Sequence, residues 1–350
     1  MLKEVLPSIL VPIVLSLSLT PLARWLGKRL GVIDVPAERR VHSIPTPKTG
    51  GWAIFISFII PALLLTKLHG ETLGLLLAAS FIFVIEIWDD VKELPAIIKL
   101  ISQIAAACIL ISFGVSVIIF PDTLWGNTLN YTLTLLWLVG ITNAVNFIDG
   151  MDGLAAGLSI IFAFLFSIVF LQMGWSSMVP LCLFIIGTCL GFLPYNFRGE
   201  KTGATVFMGD TGSNFLGFVL ASLAVMAEWS ELKLLPSLTA PLLIFAVVIY
   251  DMAYINVRRI IMREVSNVRE LLEYTGKDHL HHRLLYLLGS KTKTVLTIYL
   301  LAIALGMNAL LIKMAPDYFW ILLLQALVIL SFATILEIAA NRRMKREKGG

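Results

Sequence analysis

The sequence predicts an all-α, polytopic integral membrane protein. Hydrophobic residues make up 58% of its 350 residues and the mean hydropathy is +0.88, whereas soluble domains are about 45–50% apolar. A helix of about 20 apolar residues crosses the roughly 30 Å hydrocarbon core of a bilayer. Eleven stretches are long enough, at 4–24, 50–67, 72–88, 97–119, 129–148, 153–173, 177–195, 211–229, 236–257, 294–314 and 318–340.

The basic residues predict the orientation of these spans. If the N-terminus lies outside and the C-terminus in the cytoplasm, all but four of the 27 Lys and Arg residues fall in inner segments. The exceptions are Lys3, Lys67, Lys233 and Lys313. Basic loops stay on the cytoplasmic side during insertion, so the bias supports this orientation and an odd number of spans. The sequence contains no soluble basic domain of the kind that nucleic-acid binding would need.

The chain is predicted to form one membrane domain over residues 1–350, because the sequence shows neither an internal repeat nor a linker between two units. The cytoplasmic loop 256–293 is predicted to begin with an amphipathic helix, whose apolar positions are Ile261, Val265, Val268 and Leu272. The cysteines, Cys108, Cys182 and Cys189, fall inside spans and are interpreted as small apolar residues.

Four polar clusters interrupt the spans, and all four fall on the predicted cytoplasmic side. The first is the acidic pair Asp89 and Asp90 at the end of the third span, with Lys99 at the start of the next. An unpaired carboxylate costs up to about 3 kcal/mol inside a membrane, which favours a bound cation, a proton-transfer role or exposure to water. Lys99 can bind phosphate as a point charge or extend to the interface.

The next two clusters combine oxygen ligands with helix termini. Polar residues recur at every third position at Asn143, Asn146, Asp149 and Asp152, which places neighbours on adjoining faces of a helix. Such ligands suit a hard cation such as Mg²⁺, and helix capping is the structural alternative. The segment 207–213 precedes an apolar helix whose N-terminal amides attract phosphate, and its Asp210 can carry a divalent metal.

The fourth cluster contains three of the five histidines, His279, His281 and His282, followed by Arg283. A zinc site would be expected to show Cys partners or an HExxH spacing, and the sequence shows neither beside these residues. Next to an arginine, the imidazoles are interpreted as hydrogen-bond donors to a phosphate or a sugar.

Taken in order, WDDVKELPAIIK, NAVNFIDGMDG, FMGDTGS and HLHHRL resemble the motifs of the polyprenyl-phosphate N-acetylhexosamine-1-phosphate transferases. The similarity extends from HSIPTPKTGG at 42–51 to HLHHRL at 279–284. The His-x-His-His form resembles the branch that uses undecaprenyl phosphate and UDP-GlcNAc. Leu280 interrupts the three consecutive histidines that are usual in the muramoyl-pentapeptide branch.

The resemblance implies a multi-pass enzyme of the bacterial inner membrane with a cytoplasmic cleft and a lipid groove. It implies transfer of GlcNAc-1-phosphate from UDP-GlcNAc to undecaprenyl phosphate with release of UMP, and Mg²⁺ as cofactor with Mn²⁺ as a substitute. It implies Asn146 and Asp210 as metal ligands, Asp89 and Asp90 as the catalytic pair, and substrate contacts from Lys48, Lys99, Asp149, Asp152, Phe207, His279, His281, His282 and Arg283.

The sequence leaves several alternatives open. UDP-MurNAc-pentapeptide is a second candidate donor. A cation- or proton-coupled transporter is a candidate of another class, because Glu86 and Asp251 lie in or near apolar segments, although transporters usually show a repeat. The transfer can proceed by direct attack, which we favour, or through an aspartyl-phosphate. A homodimer is one assembly that the sequence allows.

Overall fold

The computed structural model describes residues 2–35, 44–199, 202–227, 234–263 and 279–348, together with the single positions 265 and 270. Within these ranges the elements in chain order are α1 (Leu2–Leu30), β1 (Ile33–Asp34), β2 (Thr46–Pro47), α2 (Gly50–Leu65), α3 (Gly70–Lys92), α4 (Ala96–Ser112), α5 (Leu124–Ile148), α6 (Leu154–Gln172), α7 (Val179–Asn196), α8 (Gly209–Met226), α9 (Leu234–Ile244), α10 (Ala246–Ile261), α11 (Leu280–Leu288), α12 (Lys291–Met314), a 3₁₀ turn (Pro316–Tyr318) and α13 (Phe319–Lys348). The two strands pair antiparallel.

The predicted class, an all-α polytopic membrane protein, is confirmed. A helix occupies each of the eleven predicted stretches. Among the described residues, seven helices are long and apolar enough to cross a bilayer, and an eighth span results if α9 and α10 are one bent segment. Helices α2 and α4 are apolar but shorter. The count of eleven spans and the orientation of the termini therefore stay predictions.

The predicted span over 97–119 is too long at its C-terminal end, because α4 ends at Ser112. The amides of the irregular segment that follows are bound by two polar side chains of α5. Val117 donates its N–H to Thr134 Oγ1 at 2.9 Å, and Asn130 Oδ1 accepts from two further amides at 3.1 and 3.0 Å. Irregular backbone at membrane depth needs such partners. Gly114, which has φ of +89° just after the helix end, is the sequence signal for this break.

The predicted span over 236–257 is also interrupted. Helices α9 and α10 meet at Phe245 with a bend of 85°. Pro241 lies inside α9, one turn before the bend, and Phe245 N still donates to its carbonyl oxygen. The bend directs α10 away from the axis of α9. It also allows α10 to continue to Ile261.

The predicted cytoplasmic loop 256–293 contains helical structure at both ends. Its first residues belong to α10, and α11 and the start of α12 lie near its end. The predicted amphipathic helix falls largely on 264, 266–269 and 271–278, which lie outside the described residues.

Close approach between helices at glycine positions the segments that carry the polar clusters. A Cβ on Gly51 of α2 would lie 2.3 Å from the backbone N of Gly212 in α8. Gly209 has φ of +72°, and a Cβ there would lie 2.2 Å from Lys48 O. Because no side chain fits between these backbones, the starts of α2 and α8 lie in direct contact.

We expect Gly51→Ala to destabilise the protein, because its added methyl group meets backbone atoms that cannot rotate away. Overpacking of this kind costs about 1–3 kcal/mol. Gly140→Ala in α5 is the matched control, since a Cβ on Gly140 meets nothing within 4 Å. The midpoint of thermal unfolding in detergent should fall by several degrees for Gly51→Ala and stay level or rise for Gly140→Ala. Equal midpoints for the two variants would contradict the close approach.

Candidate active site

A single lysine, Lys99, gathers three carboxylates at one end of the helix bundle. Its Nζ lies 2.8 Å from Asp89 Oδ2, 2.6 Å from Asp210 Oδ2 and 3.3 Å from Glu86 Oε2. Glu86 and Asp89 are one turn apart in α3, whereas Asp210 and the lysine lie in the first turns of α8 and α4. Three helices therefore meet at one ammonium group.

A sharp turn between α3 and α4 brings Lys99 back to Asp89. Glu93 follows α3 with φ of 42°, and Leu94 donates its backbone N–H to Asp89 Oδ1 at 2.7 Å. Pro95 then precedes α4, where its fixed φ suits a helix start. The same carboxylate closes the turn and binds the lysine.

Asp90 has a different set of partners. Its Oδ1 lies 3.2 Å from Lys48 Nζ, and Thr211 Oγ1 donates a hydrogen bond to its Oδ2. Successive residues of a helix point about 100° apart. The acidic pair therefore binds two lysines from two different segments, with Asp89 bound to Lys99 and Asp90 bound to Lys48.

The loop before α8 is joined to the loop before α2 by backbone hydrogen bonds. Phe207 donates its N–H to Pro47 O at 2.8 Å and accepts from Gly50 N at 2.9 Å. Lys48 lies between these two bonds, which explains how a residue 42 positions away in the sequence from Asp90 is held beside it. Phe207 itself is half-buried.

The two asparagines of the regular series have separate environments. Asn146 donates to Asp210 Oδ1 at 3.2 Å and to Ser213 Oγ at 2.9 Å. Asn143 donates to Gln103 Oε1 at 2.6 Å, between α5 and α4. The structure thus brings Asn146 to the carboxylates around Lys99 and binds Asn143 to the neighbouring helix.

Asp149 and Asp152 lie between α5 and α6. Asp152 Oδ2 accepts from Ala204 N at 3.3 Å and lies 3.7 Å from Lys291 Nζ. Burial, aided by the negative charges of Asp210 and Asp152, raises the pKa of Asp149 well above its ordinary value. A carboxyl group that keeps its proton can donate a hydrogen bond as well as accept one.

The histidine cluster packs against the end of α5. The ring of His279 lies 5.7 Å from that of Phe147, and a Cβ on Gly150 would lie 2.3 Å from His281 Nε2. Burial lowers the pKa of His281 well below its ordinary value, so its imidazole is neutral. The ring of His282 lies 4.3 Å from that of His281. The glycine in NFIDG is therefore needed for contact with this cluster.

Arg283 is held in the protein interior. Its side chain is 2% exposed and its Nη2 lies 3.0 Å from Glu337 Oε1 in α13. Its guanidinium also lies 4.3 Å over the ring of Tyr254. In the structure this side chain joins α11 to the C-terminal helix, and its predicted contact with substrate stays a prediction.

The carboxylates can hold a metal ion. Glu86, Asp89 and Asp210 each offer an oxygen, and these oxygens lie within 4.8 Å of one another. Glu86 Oε1 is buried and accepts no hydrogen bond from the described part of the chain. Carboxylate oxygens suit Mg²⁺ or Mn²⁺ better than they suit softer metals. The residues present therefore fit a hard divalent cation.

Sequence reasoning did not place Glu86 in the metal site, and it gave no role to Thr211 or Ser213. The signal for Glu86 was its position three residues before Asp89, which puts both carboxylates on one side of a helix. Thr211 and Ser213 lie within FMGDTGS, but their contacts with Asp90 and Asn146 join residues that are distant in sequence.

A cavity of about 360 Å³ lies at the opposite end of the bundle. Its lining includes Glu71 at the start of α3, Trp137 of α5 and Met226 at the end of α8. The carboxylates around Lys99 lie at the other end of α3 and α8. This space is therefore separate from the candidate active site.

A helical membrane bundle with lysines and carboxylates gathered at one end can bind a phosphorylated substrate and a divalent cation. The sequence matches Glycosyl transferase family 4 over residues 72–228. The "Probable undecaprenyl-phosphate N-acetylglucosaminyl 1-phosphate transferase" of Bacillus subtilis (strain 168) is 34% identical over 95% of this chain and 91% of the relative. The chain belongs to glycosyl transferase family 4 and is a phospho-sugar transferase.

Further relatives distinguish the branches. The "Decaprenyl-phosphate N-acetylglucosaminephosphotransferase" of Mycobacterium leprae (strain TN) is 33% identical over 92% of this chain and 87% of the relative's length. The "Phospho-N-acetylmuramoyl-pentapeptide-transferase" of Moorella thermoacetica (strain ATCC 39073 / JCM 9320) is 36% identical, but the match covers only 52% of this chain and 62% of the relative's length. The resemblance drawn from the motifs, including its GlcNAc branch, is confirmed.

We expect Lys99→Met to lower stability strongly, because three carboxylates then face one another without an ammonium group. Removing one partner of a fully buried ion pair costs about 3–5 kcal/mol, and the loss here is smaller because the Asp210 side chain is 47% exposed. Adding Glu86→Gln to Lys99→Met should recover part of the loss in the thermal midpoint. Lys92→Met, at an exposed position in the last turn of α3, is the control and should change the midpoint little. No recovery in the double variant would argue against charge repulsion as the cause.

Proposed function

We propose that this chain transfers GlcNAc-1-phosphate from UDP-GlcNAc to undecaprenyl phosphate, forming undecaprenyl-diphospho-GlcNAc and UMP at the cytoplasmic face of a bacterial inner membrane. The observation that carries the proposal is the Lys99 cluster, where one ammonium group meets three carboxylates at an end of a membrane bundle. The Bacillus subtilis and Mycobacterium leprae relatives support it, because their names specify a polyprenyl phosphate and N-acetylglucosamine.

The reaction brings together two anionic groups. A phosphate oxygen of the lipid attacks the β-phosphorus of UDP-GlcNAc, the bond from that phosphorus to the bridging oxygen breaks, and UMP leaves with the electron pair. Lys48 and Lys99 reduce the repulsion between the phosphates and stabilise the charge that develops on UMP. Both lysines are anchored by carboxylates, so they are positioned before substrate binds.

The lipid phosphate needs little activation. The second pKa of a phosphomonoester is about 6, so an aspartate has to remove only a residual proton or orient the attacking oxygen. Direct attack therefore suffices, and an aspartyl-phosphate is unnecessary. We assign the contact with the lipid phosphate to Asp89, whose side chain is 11% exposed, because that of Asp90 is 0% exposed and holds Lys48 and Thr211.

A divalent cation fits the same place. Glu86, Asp89 and Asp210 would hold Mg²⁺, or Mn²⁺ in its stead, with Asn146 as a further oxygen donor. When bound, the cation neutralises charge on the pyrophosphate of the donor. Lys99 keeps the three carboxylates together, and Ser213 orients the Asn146 amide.

The donor nucleotide would lie between the cluster and the turn that follows α5. Burial raises the pKa of Asp149, which favours its protonated form, and that form can donate a hydrogen bond to a nucleotide oxygen. Asp152 accepts from Ala204 N in the segment before Phe207, and the Phe207 ring would stack on uracil. His279, His281 and His282 would contact the sugar and its phosphate, and Arg283 would support them from the interior.

The proposed reaction is tested with purified protein, undecaprenyl phosphate, Mg²⁺ and a panel of UDP-sugars. We expect UMP and a lipid diphosphate product with UDP-GlcNAc, because the polar clusters match the GlcNAc branch. The controls omit lipid or use Lys99→Met. UMP released with UDP-MurNAc-pentapeptide and not with UDP-GlcNAc would assign the donor to the other branch. No UMP from any donor would contradict the proposed reaction.

Asp210→Asn should lower kcat by at least about 100-fold, since it weakens both metal binding and the contact with Lys99. Direct titration with Mn²⁺, followed by electron paramagnetic resonance, should show weaker binding than in the unchanged protein. Asp317→Asn, at an exposed position after α12, is the matched control. Unchanged Mn²⁺ affinity in Asp210→Asn would exclude Asp210 as a metal ligand, whatever happens to turnover.

A further inference from the structure

Asp251, a buried carboxylate of α10, contacts the start of α11. Its side chain is 1% exposed, and its Oδ2 lies 3.0 Å from His279 Nδ1. Its Oδ1 accepts a hydrogen bond from the backbone N–H of Leu280 at 2.6 Å. His279 is the residue that precedes α11, and its own side chain makes no capping hydrogen bond. Asp251 therefore caps α11 from another helix and holds the imidazole at the same time.

These contacts determine which nitrogen of His279 carries hydrogen. Asp251 already accepts from Leu280 N, and Arg283 Nη2 lies 3.9 Å away on the same side. A carboxylate in this setting is an acceptor, so Nδ1 of His279 must donate to it. In a neutral imidazole the other nitrogen is then an acceptor. Nε2 is left available to a ligand on a ring whose side chain is 14% exposed.

A second ion pair fixes α11 itself. Arg283 binds Glu337 Oε1 at 3.0 Å, and Glu337 Oε2 accepts from Tyr250 OH at 3.0 Å. Tyr250 precedes Asp251 in α10. The start of α11 is therefore fixed by Asp251, and its middle by the C-terminal helix. The bend between α9 and α10 makes this possible, because it carries Tyr250 and Asp251 across to α11.

We propose that Asp251 is a positioning residue of the transfer reaction, which holds His279 with hydrogen on Nδ1 so that Nε2 accepts a hydrogen bond from a hydroxyl group of the donor sugar. The inference rests on the proposed function for its substrate. His279 then recognises a hydroxyl group of the sugar as a hydrogen-bond acceptor. The positive groups that bind phosphate are Lys48 and Lys99.

The first test compares UDP-GlcNAc with its 3-deoxy, 4-deoxy and 6-deoxy analogues. One analogue should show a kcat/KM about 3- to 12-fold lower in the unchanged protein, the effect of one neutral hydrogen bond. In Asp251→Asn the ratio of kcat/KM for UDP-GlcNAc to kcat/KM for that analogue should fall toward one. The amide of Asn can donate to Nδ1, so His279 is no longer required to carry its hydrogen on Nδ1. In Glu337→Gln the ratio should persist although stability falls, because the pair of Asp251 and His279 remains.

A second measurement does not need turnover. In protein labelled with ¹⁵N-histidine, the spectrum contains signals from five histidines, and His279→Gln assigns those of His279. Hydrogen on Nδ1 of His279 is expected in the unchanged protein and in Glu337→Gln. Hydrogen on Nε2 in the neutral ring would overturn the inference, as would a deoxy ratio that survives Asp251→Asn. Absence of UMP from unmodified UDP-GlcNAc would instead overturn the proposed function.

Discussion

The contact of the Lys99 ammonium group with three carboxylates is the constraint on which the site depends. Two helices, α3 and α8, bring oxygens of Glu86, Asp89 and Asp210 to within 4.8 Å of one another, and a third helix, α4, carries Lys99. Carboxylates this close repel each other strongly where water is scarce, so their packing requires positive charge. Lys99 supplies it in the protein alone, and a divalent cation and the lysine would share that task when the donor pyrophosphate arrives. The three carboxylates therefore need positive charge for stability, and the same carboxylates can bind a cation that serves catalysis.

Backbone turns and hydrogen bonds position the two lysines beside the acidic pair. The turn after α3 returns Lys99 to Asp89, and Leu94 closes the turn on the same carboxylate. On the other side, Gly51 and Gly212 allow α2 and α8 to touch, which sets Lys48 against Asp90. Each member of the acidic pair therefore binds one lysine of the site. Because the positions are held by backbone hydrogen bonds and buried ion pairs, little reorganisation is needed when substrate binds.

The C-terminal half of the chain contributes through a second, buried ionic network. Glu337 and Asp251 bind the two ends of the short segment from His279 to Arg283. This segment packs on Gly150, the residue that follows Asp149. The histidines are thereby presented to the site by helices that carry none of the catalytic carboxylates. The contact is made from α10, which lies at 85° to α9.

The sequence by itself determined the all-α membrane class, the position of a helix in every apolar stretch, and the segments that contribute polar residues. These follow from composition and local spacing, which need no knowledge of the fold. Tertiary structure alone decided which polar residues meet. It joined Glu86 to the site, bound Asn143 to Gln103 away from it, and directed Arg283 to Glu337. It also broke two apolar stretches, at the first of which Asn130 and Thr134 bind the amides of the irregular segment after α4. Pairing between residues far apart in sequence depends on how helices pack, and that information lies in three-dimensional contacts.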